Sequence, residues 1–275
     1  MTDPRPALEA IGQLPDNEID IADAALQLAR VDAPEADWQA ARGELSALAR
    51  DAVMLARRVP ADDLTAQATA LGGLIATRHG YRGDSETYDD PANANLIRVI
   101  ERRQGLPVAL GILWLHAARA AGWTAHGIDF PGHFLVALCG RGAQAAIDVF
   151  AGGVALDARE LRVLIKRVEG ERAELRPDLL RPMSARAVLL RLQNNIKLRR
   201  LHAGRLESAL ACAEDMLRIA PAEPLLWRET ALMHQRLDQV SAALRCWERF
   251  LALVPQGDAA ERARTAMAEL RSRLN

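Results

Sequence analysis

Lysine is almost missing from this chain. Of 35 basic residues only Lys166 and Lys197 are lysines, and the arginines that make up the rest never gather into a long block. The excess is therefore compositional and marks no basic arm. Net charge is −1, which removes any bulk attraction to nucleic acid or to an anionic membrane. Cysteine is scarce: Cys139, Cys212 and Cys246. An odd, widely spaced set supplies neither a disulfide framework nor metal-ligand spacing, and it suits a reducing compartment. Long apolar runs are lacking too. The longest spans residues 105–115, short of the roughly 20 residues that cross a bilayer. The first residues, Met1-Thr-Asp-Pro-Arg-Pro6, lack the basic-then-apolar order of a signal peptide. No phosphate-cradling glycine loop, DNA-reading helix or base-stacking platform is present. These absences predict a cytoplasmic protein with no cofactor and no nucleic-acid or membrane partner, and they leave its oligomeric state open.

What the chain does have is room for one large or two medium domains: 275 residues, half of them hydrophobic. Residues 1–80 read as helices. Ile19, Ala22, Leu26 and Ala29 form one stripe, and Trp38, Ala41, Leu45, Leu48 and Val53 form a second. A third helix starts near Pro60, Asp62 and Asp63 and ends near Gly80. Residues 83–95 are turn chemistry, and 96–103 a short helix. Pro107 suits the first turn of a new helix that stops at Gly122. From Val108 to Leu115 it is apolar on every side, which predicts a core helix. The period then changes. Residues 124–130, 133–139 and 143–150 read as three short strands, with Gly140-Arg-Gly142 as a tight turn. Residues 158–168 are helical again, and the charged, proline-containing 169–183 reads as a linker. The expected class is α+β, a buried helix against a small antiparallel sheet, followed by an all-helical region.

That last region repeats itself. A shift of 34 residues lays Ala209-Leu210 on Ala243-Leu244, Cys212 on Cys246, Glu214 on Glu248, Leu217 on Leu251 and Pro221 on Pro255. A 34-residue helical period ending in proline is the tetratricopeptide signature, with Trp227 at its aromatic position. Two repeats and a capping helix over 258–274 follow from this count, and both cysteines are expected to be buried. The predicted division is 1–168, linker 169–183, and repeats 184–275.

Chemistry concentrates after the core helix. His133 follows Pro131-Gly132 at a strand start, and Asp148 lies on the next strand. Their facing depends on the hairpin. A loop centred on Arg141 sets His133 opposite Val149, whereas a loop of Gly140 and Arg141 sets it opposite Asp148, with Cβ atoms about 5 Å apart. In the second register the carboxylate would fix the imidazole tautomer. Helix start, histidine strand, aspartate strand is also the order of a Cys-His-Asp site, in which the helix dipole lowers a thiol's pKa.

The chain resembles the transglutaminase-like superfamily, and more closely the bacterial SirB-type proteins, in which such a domain precedes tetratricopeptide repeats. The resemblance rests on Tyr81-Arg-Gly-Asp84, Tyr88-Asp-Asp-Pro-Ala-Asn93, Val99-Ile-Glu-Arg-Arg-Gln-Gly-Leu-Pro107, Pro131-Gly-His-Phe-Leu-Val136, Ile147-Asp-Val-Phe150 and Asn194-Asn-Ile-Lys197. It implies that His133 and Asp148 match two members of a catalytic triad. It supplies no nucleophile. Active relatives carry a cysteine two residues after the glycine that opens the helix, and here that place holds Pro107. SirB-type proteins often carry a hydroxyl residue two positions after the proline, and here Ala109 stands there. Residues 104–113 contain no Cys, Ser or Thr.

Cys139 is six strand residues from His133, roughly 20 Å along the strand, too far to replace the missing thiol. His116, His126, His133 and Asp129 contain no recognised metal-ligand spacing, so no metal site is predicted. Tyr88, Asn93, Arg103, Gly105, Pro107, Ala109 and Gly132 are the expected lining of the old cleft. The expected function is non-catalytic: a protein or peptide partner bound through cleft or repeat surface, in a regulatory or adaptor role. The alternative is a hydrolase or acyl-transfer enzyme of altered mechanism, with His133 held by Asp148 as general base.

Overall fold

The structure, a computed structural model, describes residues 2–273. The chain divides into two units. One holds Leu14–Leu192 and the few residues before Arg5; the other holds Arg5–Gln13 and the chain from Gln193 onward. Among the described residues no helix is long and apolar enough to cross a membrane.

Helix α1 (Arg5–Gln13) belongs to the second unit. The first unit begins with α2 (Ile21–Asp32), α3 (Trp38–Ala56) and α4 (Leu64–Gly72), the last running into a π-helical turn, Gly73–Arg78. Asp20, Asp37 and Asp63 each precede one of these helices and accept a first-turn N–H, which satisfies donors no helix can satisfy itself. A two-residue strand β1 (Arg82–Gly83) follows, then α5 (Leu96–Arg102), capped by Asn95, and β2 (Gln104–Gly105), which pairs parallel with β1.

Helix α6 (Pro107–Ala120) is the core helix. Val108 to Leu115 are all buried, as an all-round apolar helix must be. The sheet comes next: β3 (Thr124–Phe130), β4 (His133–Gly140), β5 (Ala143–Asp148) and β6 (Val154–Leu156). Then come α7 (Ala158–Glu169), opened by an Asp157–Glu160 capping box, and β7 (Pro182–Met183). The strand order is β6-β5-β4-β3-β7, antiparallel throughout. The predicted linker over 169–183 is thus corrected, since Pro182 and Met183 pair with Ile128 and Gly127 and add an edge strand to the sheet.

Both faces of the sheet are covered. Ile128, Phe130, Leu135, Ala137 and Ala146 pack on Leu161 and Ile165 of α7. The other face meets α6, where Phe134 lies so close that a Cβ on Gly111 would fall 2.2 Å from its ring. Gly127 gives the same ring room from the strand side, at 2.8 Å.

The second unit contains α8 from Gln193 on (the whole helix is Ala185–His202), α9 (Leu206–Ile219), α10 (Pro224–Arg236), α11 (Val240–Leu253) and α12 (Asp258–Ser272). Equivalent positions across the 34-residue shift are equivalent in burial: Ala209 with Ala243, and Cys212 with Cys246. Helix α1 lies along α9 so closely that a Cβ on Gly12 would overlap the Arg218 carbonyl oxygen. Arg5 reaches Asp215 at 3.0 Å, and Arg218 pairs with Glu9. The N-terminal helix is therefore an added member of the repeat unit, whereas the sequence had grouped it with the first domain.

Gly43 and Gly111 separate propensity from packing. Both lie inside helices, but a Cβ on Gly43 meets nothing within 4 Å. Gly43→Ala should stabilise the chain by about 0.5–1 kcal/mol. Gly111→Ala should destabilise it by about 1–3 kcal/mol, because the Phe134 ring must move. Urea unfolding of the two variants checks the opposite signs.

Candidate functional site

The start of α6 is built by the loop before it. Leu106 precedes the helix with no side-chain cap, and its N–H donates to the Asn93 carbonyl oxygen at 2.9 Å. Asn93 is fully buried; its Nδ2 donates to Asp84 Oδ2 and to the Thr87 carbonyl oxygen. Its Oδ1 is buried without a hydrogen-bond partner. Asp84 is the hub of this loop. Thr87 donates to it through hydroxyl and backbone N–H, Asn93 adds a third bond, and Arg102 pairs with it; together they hold its carboxyl down at about 2. Gly105 pairs with Gly83, and a Cβ there would meet Val99 at 2.8 Å. The Phe150 ring covers Gly83, and Tyr88 packs edge-on against that ring at 5.9 Å.

Tyr88, Asn93, Gly105 and Pro107 are therefore linked by one chain of contacts around the helix start. Their exposure differs. Tyr88 is open and Pro107 half-buried, while Asn93, Gly105 and Ala109 are sealed. Ala109 in particular is 0% exposed. Arg103 turns inward. It takes a left-handed conformation (φ 57°), donates to Glu44 and to the Tyr81 hydroxyl, and lies 4.7 Å over the Tyr81 ring. Those contacts make it the wall of a half-buried ion cluster. Its guanidinium, helped by His79 at 2.8 Å, holds the Glu44 carboxyl down at about 2 against the opposing effect of burial. Burial pushes the Tyr81 hydroxyl well up.

The hairpin carrying His133 and Asp148 adopts neither register expected from sequence. Gly140 pairs with Ala143, and Val136 with Ile147. The two loop residues are Arg141 and Gly142, with φ 47° and 78°. Two consecutive positive φ values make a type I′ turn, whose twist matches that of the strands. Continuing this register sets Asp148 opposite Leu135. Asp148 Oδ1 instead accepts from the Phe150 and Ala151 N–H groups and closes its own turn. No hydrogen bond joins His133 to Asp148 among the described residues.

The pleat decides where His133 faces. Successive strand residues point to opposite faces, and Phe134 points to α6. His133 therefore shares the α7 face with its partner Phe130 and with Leu135. Gly132 (φ 68°) is exposed beside it, over Val168 of α7. The structure thus gathers five of the predicted site residues, Tyr88, Asn93, Gly105, Pro107 and Ala109, at the helix start and puts His133 and Gly132 on the other side of the sheet.

Sequence reasoning missed a different pair. Cys139 Sγ lies 3.4 Å from His126 Nδ1, on the face both share in the β3–β4 ladder. Burial raises the thiol's pKa and lowers the imidazole's, so both neutral forms are favoured. An activated thiolate–imidazolium pair needs the reverse. Alternation and cross-strand spacing were the signals that could have found this contact. His116 gives Nε2 to the Leu45 carbonyl at 2.9 Å, and Asp129 pairs with Arg191.

The ion cluster sets an acid limit. Glu44 is at about 2 in the folded chain against an ordinary 4.5, so its contribution is complete above the unfolded value and is lost as pH falls towards 2. Glu44→Gln should destabilise the chain by about 1–2 kcal/mol at pH 7, discounted for partial exposure. That gap should narrow from pH 4.5 and vanish near pH 2, as urea unfolding at pH 7, 4 and 2.5 would measure.

Comparison with known proteins agrees with this architecture. The family described as "Transglutaminase-like superfamily" matches residues 39–194, and the family described as "Tetratricopeptide repeat" matches 196–268. A UPF0162 protein of Xylella fastidiosa is 34% identical over 189 residues, covering 68% of this chain and 67% of that one. One from Vibrio cholerae is 28% identical over 248 residues, covering 90% and 91%. A crystal structure of menin aligns over 90% of this chain and 70% of its own at 11% identity, with a TM-score of 0.42 too low to carry an argument. With the family match running from within α3 to within α8, across the buried helix and the whole sheet, this chain belongs to the transglutaminase-like superfamily, its domain followed by tetratricopeptide repeats.

Proposed function

We propose that this protein is a non-catalytic member of its superfamily, a cytoplasmic adaptor or regulator that binds a protein or peptide partner. The observation that carries the reading is the start of α6. Pro107 occupies the first turn, Ala109 is sealed from solvent, and residues 104–113 offer no thiol or hydroxyl. The facing of His133 adds support, because a base on the α7 face has no path to a nucleophile at that helix start. Cys139 is no substitute, its thiol being pushed up by burial and tied to His126. Repeat units of this kind present extended binding surfaces, which supports a partner that is a polypeptide. Three free thiols suit a reducing compartment.

One observation favours a second reading. The His133 ring is half-buried and, unlike Asp148, makes no hydrogen bond among the described residues. A free imidazole can serve as general base on water without a protein nucleophile.

The two readings part in one assay. Amide hydrolysis, glutamine deamidation and amine transfer are screened on peptide substrates with wild type and His133→Ala. The adaptor reading expects no turnover above buffer from either protein. Turnover by wild type that His133→Ala abolishes would overturn it in favour of the altered-mechanism enzyme.

A further inference from the structure

The second unit contains a groove of about 750 Å³ between α1, α9, α10 and α11. Its floor is buried: Leu217, Thr230, His234 and Cys246. Its charged rim is partly neutralised from within. Glu9 pairs with Arg218, which also pairs with Asp215; Glu214 lies 3.4 Å from His234 Nε2; Glu248 faces Arg271 at 3.4 Å. Two rim cations differ. Arg245 and Arg249 are exposed, and among the described residues neither has a carboxylate within ion-pair distance. They stand one turn apart on α11, so both point to the same side of the helix. The Arg249 guanidinium lies 5.6 Å over the Trp227 ring. A stacked guanidinium is held in orientation while its N–H edge stays free for a carboxylate.

We propose that this groove seats an acidic segment of a partner polypeptide, with carboxylates on Arg245 and Arg249 and an apolar side chain against Leu217, Pro221 and Trp227. Charge complementarity selects the class. Once the ion pairs between fixed charges are counted, Arg245 and Arg249 outnumber the one remaining rim carboxylate, Glu214, whose neighbour is the histidine His234, so the groove keeps a net positive charge beside its buried floor. Helix α1 supplies one wall of the groove through the Glu9–Arg218 contact. The proposal rests on the adaptor reading and gives its partner a chemistry.

Three fluorescein-labelled dodecapeptides test it against the full chain by anisotropy. The first is rich in Asp and Glu around one Leu, the second replaces every acid by its amide, and the third replaces them by Lys. The acidic peptide should bind about tenfold or more tighter than the amide peptide, and the preference should shrink with added salt. Arg245→Glu with Arg249→Glu should lose that preference and favour the lysine peptide instead. Both arginines are exposed and lack an ion pair, so circular dichroism should match wild type, and the thermal midpoint should fall only by the loss of the exposed Arg249–Trp227 stacking. Trp227→Leu should weaken the acidic peptide while sparing the sign of the preference. Equal binding of acidic and amide peptides overturns the proposal, as does unchanged acidic binding by the double variant. A wild-type dimer that the double variant dissolves, without peptide preference, also overturns it and assigns the groove to a second copy. Failure of the adaptor reading looks different: it is turnover lost in His133→Ala, with the peptide result standing. Conversely, a partner co-purified equally by wild type and double variant, with no peptide preference, sinks the groove and leaves the adaptor.

Discussion

The ring of Phe134 is the contact on which the first unit depends. It lies between Gly111 of the core helix and Gly127 of the neighbouring strand, and neither position tolerates a Cβ without moving the ring. Two glycines let helix and sheet approach closely enough to enclose one aromatic side chain. Everything along β4 follows from this seat. Phe134, Val136 and Leu138 must face α6, and His133, Leu135 and Ala137 must face α7, because the pleat allows no other alternation. The same contact that closes the core therefore turns the histidine away from the helix start.

Much of this fold could be read from residues alone. The bounds of α6, β3 and β4 lie within a residue or two of those expected, because all-round hydrophobicity, Gly122 and the Pro131–Gly132 turn are strong local signals. Register was less legible. Gly140-Arg-Gly142 permits several loop centres, and the observed one puts Arg141 at a positive φ, which side chains usually avoid. Only the twist demanded by the paired strands selects it. Long-range contacts were hidden altogether. Nothing local in Pro182-Met183 announces an edge strand. Nothing in Asp16 announces that it accepts the first N–H groups of α8, at Ala185 and Arg186.

At the candidate site the legible part was chemical and the hidden part geometric. That residues 104–113 lack a nucleophile is a fact of composition, and the fold leaves it unchanged. Which of the cleft residues reach solvent is a fact of packing. Asn93 and Ala109 are small or polar side chains next to a turn, and such residues normally sit outside. Here Asn93 is drawn in because its side chain bonds Asp84 and Thr87 while its carbonyl receives Leu106. Arg103 is drawn in by Glu44 and Tyr81, partners 59 and 22 residues away. The repeat unit shows the converse. Its 34-residue period was plain, but the wall contributed by α1 comes from the far end of the chain.

The alternation along β4 also constrains where a group at the helix start could find a base. A thiol placed at 107 or 109 would meet a helix dipole but no base, since His133 belongs to the opposite face. Moving β4 by one residue would bring the histidine round. It would also turn Phe134, Val136 and Leu138 out of the α6 interface and bring Leu135 and Ala137 out of the α7 cluster. Each large side chain so displaced costs about 1.5–3 kcal/mol, and three or four of them approach the whole stability of an ordinary domain, about 5–15 kcal/mol. The core packing itself thus keeps the helix start and the His133 face of β4 apart. What a chain of this kind can still vary cheaply is its exposed charge, and there the two unpaired arginines of α11 stand over a buried floor.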